Sequence, residues 1–362
     1  MDFLSSLLGG LFGDITFLKG IWIGAVALGG LSSFIMIGLI VHRIFVHRRE
    51  RKRDIRRKAL RMRILEYLET EMDWATAAEI FKAEDGHLLR EIVMALLGSV
   101  RGDSRDRLIA LLMIAGVRDG ALKELKEGSP IERLDAVEVV TLFPGPETIA
   151  ALHEALDDDE PHVRLYAAQS LADLDPDFSV REMIEKLDIG GAIRSRMLRD
   201  IFRRVGSHDV MDLIHILKAD FDDTITTLAL YAIGGVQDFS VVPVVADKMT
   251  SKSLDVRAEA MRALTAIGHP GAEKTVLKAF EDEEWPVRAQ AAICSGRIGF
   301  QSAIPHLRRL LGDGEWWARF RAAEALVKLG SDGVKALERE AKGEGRAAQI
   351  AGLVLSEQEA RS

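Results

Sequence analysis

One cysteine in 362 residues, Cys294, excludes an internal disulfide and suits a reducing compartment. Proline is scarce at nine residues and aromatics make up only 6 %, a profile of helical rather than β chains. Catalytic signatures are missing as well. The nine histidines include His153/His162 and His208/His215, and neither pair has carboxylate or cysteine company at metal-ligand spacing. They read as solvated or helix-face residues, with no metal and no cofactor expected. Cys294 follows Ala291 and Ala292 in a helical pattern and reads as a small buried residue, not a nucleophile. Gly190-Gly191 and Gly234-Gly235 are turn punctuation and not phosphate loops. The acidic runs at 157–160 and 281–284 lack the glycine and ligand spacing of a calcium loop and read as solvated turns. Nothing in this inventory points to an enzyme.

Charge is unevenly spread. Of 48 basic and 56 acidic residues, 12 and 4 fall in residues 1–63, leaving 36 and 52 for the rest. The first segment is strongly basic and the body acidic, and an acidic body argues against a nucleic-acid groove.

Residues 20–41 carry no formal charge and, as a helix, would reach roughly 33 Å, enough for a bilayer core. A cleaved signal peptide fits poorly, because Asp2 and Asp14 precede the run and it exceeds the usual length. Arg48, Arg49, Arg51, Lys52, Arg53, Arg56, Arg57 and Lys58 follow, a stop that keeps the downstream chain in the cytoplasm and touches anionic lipid headgroups. The expected order is an outside tail at 1–19, a transmembrane helix at 20–41, a basic juxtamembrane helix at 42–63, a repeat domain at 64–355 and a frayed tail at 356–362. This is a single-pass protein of an inner membrane. Ala25/Gly29/Ser33 and Gly20/Gly24 are spaced for close helix approach.

The body repeats with a period of about 31 residues. Pro286-Val287-Arg288-Ala289-Gln290-Ala291-Ala292 returns as Trp317-Ala318-Arg319-Phe320-Arg321-Ala322-Ala323 and precedes itself as Asp255-Val256-Arg257-Ala258-Glu259-Ala260-Met261. Small or apolar residues recur three, four and seven positions after each reference arginine, which is one buried helix face. A second helix follows each first one, giving an all-α solenoid of about eight helix pairs. Asp158, Asp220, Asp282 and Asp313 lie six residues before the reference positions Arg164, Thr226, Arg288 and Arg319. Such an aspartate is placed to cap the first helix or pair with the reference arginine of its own or the next repeat. Ser195 and Thr226 interrupt the arginine ladder.

This Asp-then-Arg unit resembles the HEAT-like repeat family, particularly its short bacterial form first associated with phycobilisome lyases. The resemblance covers roughly residues 100–345 and implies stacked helical hairpins. It implies no single activity, since the family includes scaffolds, bilin lyases and DNA-binding enzymes. A membrane-anchored scaffold that binds protein partners is the leading reading; the alternative is a bilin-lyase-like or other HEAT-like enzyme near the membrane.

Two surface features are candidates for partner binding. Trp285 and Trp316 stand one period apart, with Trp317 adjacent, and tryptophan is enriched among binding anchors. Lys274, Lys278, Arg308, Arg309, Lys335 and Arg339 form a basic track on the last three second helices. The rival readings are inter-repeat packing for the tryptophans and a solvated face for the track.

Overall fold

The computed structural model describes residues 2–70, 72–82, 84–187, 196–208, 210–219 and 221–361, and among them there is no strand. The chain divides into two compact units, Met1–Val117 and Arg118–Ser362.

In the first unit, α1 (Asp2–Glu69) is one uninterrupted helix, followed by α2 (Trp74–Phe81), α3 (Gly86–Leu97) and α4 (Asp103–Ile114). The apolar run and the basic segment are therefore a single element. Within it, Leu28–Phe45 is long and apolar enough to cross a membrane, and none of that window is buried. Further along α1 the environment reverses: Leu60, Ile64 and Tyr67 are buried. Arg107 on α4 closes the C-terminal end. Its guanidinium donates to the carbonyls of Tyr67, Leu68 and Thr70 and lies 4.3 Å from the Tyr67 ring centroid. Terminal helix carbonyls lack intrahelical partners, so a half-buried arginine there serves as a C-cap.

The second unit takes up α5 (Val117–Glu127) and then seven helical hairpins. These are α6 (Pro130–Val140) with α7 (Pro146–Ala155), α8 (Pro161–Leu174) with α9 (Val180–Leu187), and α10 (Arg196–His208) with α11 (Val210–Lys218). They continue as α12 (Asp223–Ile233) with α13 (Val242–Asp247), α14 (Leu254–Ile267) with α15 (Glu273–Ala279), α16 (Trp285–Ile298) with α17 (Ile304–Leu310), and α18 (Trp316–Lys328) with α19 (Ser331–Ala341). Helix α20 (Arg346–Arg361) closes the unit. Each first helix packs on the next first helix, which makes the unit an α-solenoid with one continuous core.

Local chemistry sets the helix ends. Ser129 and Glu132 form a reciprocal capping box with Pro130 in the first turn of α6, and Asp222 caps α12 by accepting from the Ile225 N–H. Helices α14 and α16 end at Gly268 and Gly299, with φ of 71° and 94°, a left-handed conformation that favours glycine. Two recurring core rows are fully buried, and all but Met261 are alanine: Ala260, Ala291 and Ala322, then Met261, Ala292 and Ala323. Small residues let backbones approach closely. A Cβ on Gly296 of α16 would lie 2.9 Å from the Ala325 Cα of α18.

The tail differs from expectation. The helix expected to end near Leu355 runs to Arg361, because Glu, Gln, Ala and Arg there are strong helix formers without a glycine or proline to stop them.

Candidate functional site

The ladder aspartates occupy the turns between successive hairpins, and the ladder arginines stand near the starts of the first helices. Arg257 donates from Nε and Nη2 to the two oxygens of Asp282, at 2.8 and 3.0 Å, and Arg288 does the same to Asp313, at 2.7 and 3.0 Å. Arg133 pairs with Asp158 too, but donates from Nη2 alone, at 2.8 Å; its Nε lies 2.7 Å from the other oxygen without forming a hydrogen bond. Each arginine thus meets the aspartate that lies 25 residues later. The sequence expectation, that the aspartate pairs with the arginine of its own or the next repeat, needs correction: Asp282 takes the arginine of the preceding repeat. Its own repeat's Arg288 turns Nη1 to the Asp282 and Glu283 carbonyls. Arg164 and Arg319 use the corresponding carbonyls, at Asp158 and Asp159 and at Asp313 and Gly314. The carboxylate also accepts the N–H two residues on, from Glu160, Glu284 and Glu315, closing an Asx turn and not a helix N-cap. The Asp282 hydrogen bonds raise the Arg257 pKa, and those of Asp158 raise Arg133's. Burial pushes the Asp313 carboxyl up, but Arg288 and the Glu315 N–H outweigh it and hold the carboxyl below its ordinary value.

Ser195 and Asp220 lie outside the described residues. At the other interruption both partners change together. Buried Thr226 directs its hydroxyl to the Phe221 carbonyl, five residues back, where Arg288 reaches Glu283. Ser251, 25 residues after Thr226, accepts the Ser253 N–H as the aspartates accept theirs. The rung is neutral on both sides, so no charge is stranded.

The tryptophans part company. Trp285 is half-buried, whereas Trp316 and Trp317 are 43 % and 52 % exposed. Among the described residues no ring contact joins Trp285 to Trp316. Instead Trp316 stacks on Phe320 at 5.0 Å, and Trp317 stands edge-on to both rings. Arg321 lies over Trp317 and Phe320.

Half of the basic track is countered by carboxylates. Arg308 binds Glu340 at 2.6 Å across one repeat, Arg309 lies near His306 and Glu281, and Lys335 lies 3.6 Å from Asp332. Lys274 and Lys278 are exposed, and Arg339 is in the last turn of α19. In the first unit, Arg53 and Arg57 converge on Glu91 of α3, at 3.1 and 2.9 Å. Two of the eight residues expected at the headgroups therefore face a helix of their own unit. Arg48, Arg51, Lys52, Arg56 and Lys58 are exposed, while the Arg49 side chain and those of Gly20, Gly24, Ala25 and Ser33 lie outside the described residues.

His153 also needs correction. It has carboxylate company after all: Nδ1 lies 2.9 Å from Glu182 and Nε2 2.8 Å from Asp175. The imidazole bridges two carboxylates between repeats. Among the described residues no group of His, Cys, Asp and Glu is arranged to hold a metal ion. Cys294 is fully buried, and burial pushes its thiol up to about 11, away from nucleophilic use. A cavity of about 620 Å³ opens beside α10, α12 and α14, but its charged lining is partly self-satisfied. Glu259 pairs with Arg262 at 2.5 Å, and Arg199 lies over Tyr231.

Residues 273–342 match the HEAT repeats family. That span runs from the start of α15 to just past α19, and so holds the Arg288–Asp313 rung and both exposed tryptophans. No curated protein matches the chain. Among solved structures, Kap121p bound to Pho4p is similar at 14 % identity and a TM-score of 0.46, covering 81 % of this chain and 40 % of that one. The karyopherin Kap121p bound to the SUMO protease Ulp1p gives 14 % and 0.45, covering 76 % and 37 %. An engineered protein gives 18 % and 0.37, covering 80 % and 97 %. The chain thus spans about 40 % of the length of the Kap121p chains it resembles.

Proposed function

We propose that this chain is a non-enzymatic, membrane-anchored scaffold whose HEAT-repeat array binds protein partners on the cytoplasmic side of an inner membrane. The observation that carries the proposal is helix α1. Its Leu28–Phe45 window is apolar with none of it buried, and its last turns are part of a packed helical core. An element that is lipid-compatible at one end and core at the other couples a bilayer to the first helical unit, and the array follows that unit in the chain. Arg48, Arg51 and Lys52 lie within about 10 Å of Phe45 along the helix, close enough for anionic headgroups. A tether of this kind raises the effective concentration of the array near membrane proteins.

Trp316 and Trp317 are the favoured contact residues, with Trp285 at their margin, because exposed tryptophans supply large contact area at small entropic cost. Lys274 and Lys278 are the members of the basic track best placed to meet an acidic partner. Affinity purification from intact membranes tests the proposal. A reproducible set of protein partners is expected, and their absence would contradict it.

A further inference from the structure

We infer that the start of α18 receives a cationic side chain, an arginine or lysine in an extended segment of the partner protein. This rests on the protein-binding reading above and names the chemistry of what binds. The rings form a corner. Trp316 and Phe320 are parallel within 11°, and Trp317 stands at 83° and 87° to them. Ring faces carry the negative side of the aromatic quadrupole, so the polar group they accept is a cation. The chain already satisfies one side in this way: the Arg321 guanidinium lies 5.8 Å from the centroids of both Trp317 and Phe320, tied to Glu324 at 2.6 Å. Among the described residues no cation covers Trp316.

The surrounding charge has the complementary sign. Glu315 directly precedes Trp316 and is exposed, as are Glu283 and Glu284 in the preceding inter-repeat turn. Among the described residues no ion pair reaches any of the three, although Glu283 and Glu284 lie within the electrostatic reach of Arg257. The two turns are held together by Arg288, which reaches the Glu283 carbonyl at 2.8 Å and Asp313 at 2.7 Å. The three neighbouring guanidiniums are already engaged, Arg288 by Asp313, Arg319 by the Asp313 and Gly314 carbonyls, and Arg321 by Glu324. What remains for a visitor is ring faces beside unpaired carboxylates. That combination favours a guanidinium or ammonium and repels an acidic segment.

The test uses the full chain in detergent with 5-fluorotryptophan, so that each tryptophan gives its own fluorine signal. Three seven-residue Gly/Ser peptides carry two arginines, two lysines or two glutamates at the same positions. The arginine and lysine peptides should shift the Trp316 and Trp317 signals and leave Trp22 unmoved. Binding should weaken at least tenfold in Trp316→Ala/Trp317→Ala and several-fold in Glu315→Gln and at high salt. Failure of the cationic peptides to shift these signals, or equal shifts from the glutamate peptide, would overturn the inference. So would unchanged binding in Glu315→Gln, which keeps the side-chain shape and guards against a folding artefact. Membrane affinity purification with the same variants separates the two levels. Partners retained by both variants sink this inference alone, whereas no partner for the wild type sinks the protein-binding reading beneath it.

Discussion

Arg288 and Asp313 form a two-point ion pair across adjacent repeats, with side chains 18 % and 8 % exposed. The same guanidinium also binds two carbonyls of its own turn, so one residue joins three backbone segments. Exposed ion pairs contribute about 0–1 kcal/mol and breaking buried ones costs about 3–5 kcal/mol. Arg288→Ala should fall between, at about 2–4 kcal/mol by urea unfolding. Arg288→Lys should recover little, since an ammonium cannot reproduce the planar fork.

Asp313 gives this rung a pH signature. Its folded pKa lies below the unfolded carboxylate value, so the unfolded chain binds that proton more readily. The contribution is complete above about pH 4 and disappears as pH falls through the lowered folded value. Asp313→Asn should therefore differ most from wild type at neutral pH and converge with it in acid. A constant difference across the range would contradict the assignment.

The neutral rung should be convertible. Thr226→Arg alone puts a charge at a buried position whose opposite residue is Ser251, and should destabilise. Adding Ser251→Asp restores both members of the pair, and a double-mutant cycle should show favourable coupling of about 1 kcal/mol or more. Zero coupling would mean that the spacing of 25 residues is insufficient to define the pair.

Two core positions make opposite predictions. A Cβ on Gly333 would lie 2.0 Å from the Leu326 carbonyl oxygen, so Gly333→Ala must push α19 away from α18. A loss of about 1–3 kcal/mol or more is expected by calorimetry. The Ser295 hydroxyl is buried and, among the described residues, has no hydrogen-bond partner, while Leu264 and Leu326 occupy equivalent positions. Ser295→Ala should therefore stabilise by about 1 kcal/mol.

Much of this was written in the 31-residue period. It foretold the helix pairs, the alanine rows and the alignment of aspartate with arginine. A period alone does not say which neighbour each side chain leans towards, so it does not carry the pairing of each aspartate with the preceding repeat's arginine. The Thr226 interruption was visible, yet its match with Ser251 appears only once the rung is known to span 25 residues. His153, Glu91 and Arg107 act through partners 22 to 40 residues away on other helices, where no local spacing rule reaches. The tryptophan pair illustrates the same limit: equal positions at 285 and 316 end half-buried and exposed, a difference that the period does not carry.

The most direct test of the account is the state of the full chain in sealed cells and membranes. An epitope added after Ser362 should stay with the membrane through an alkaline wash. It should resist protease added outside sealed cells and be cut in inverted vesicles. Release by the wash, or cleavage from outside, would contradict a helical-repeat array held on the inner face by α1.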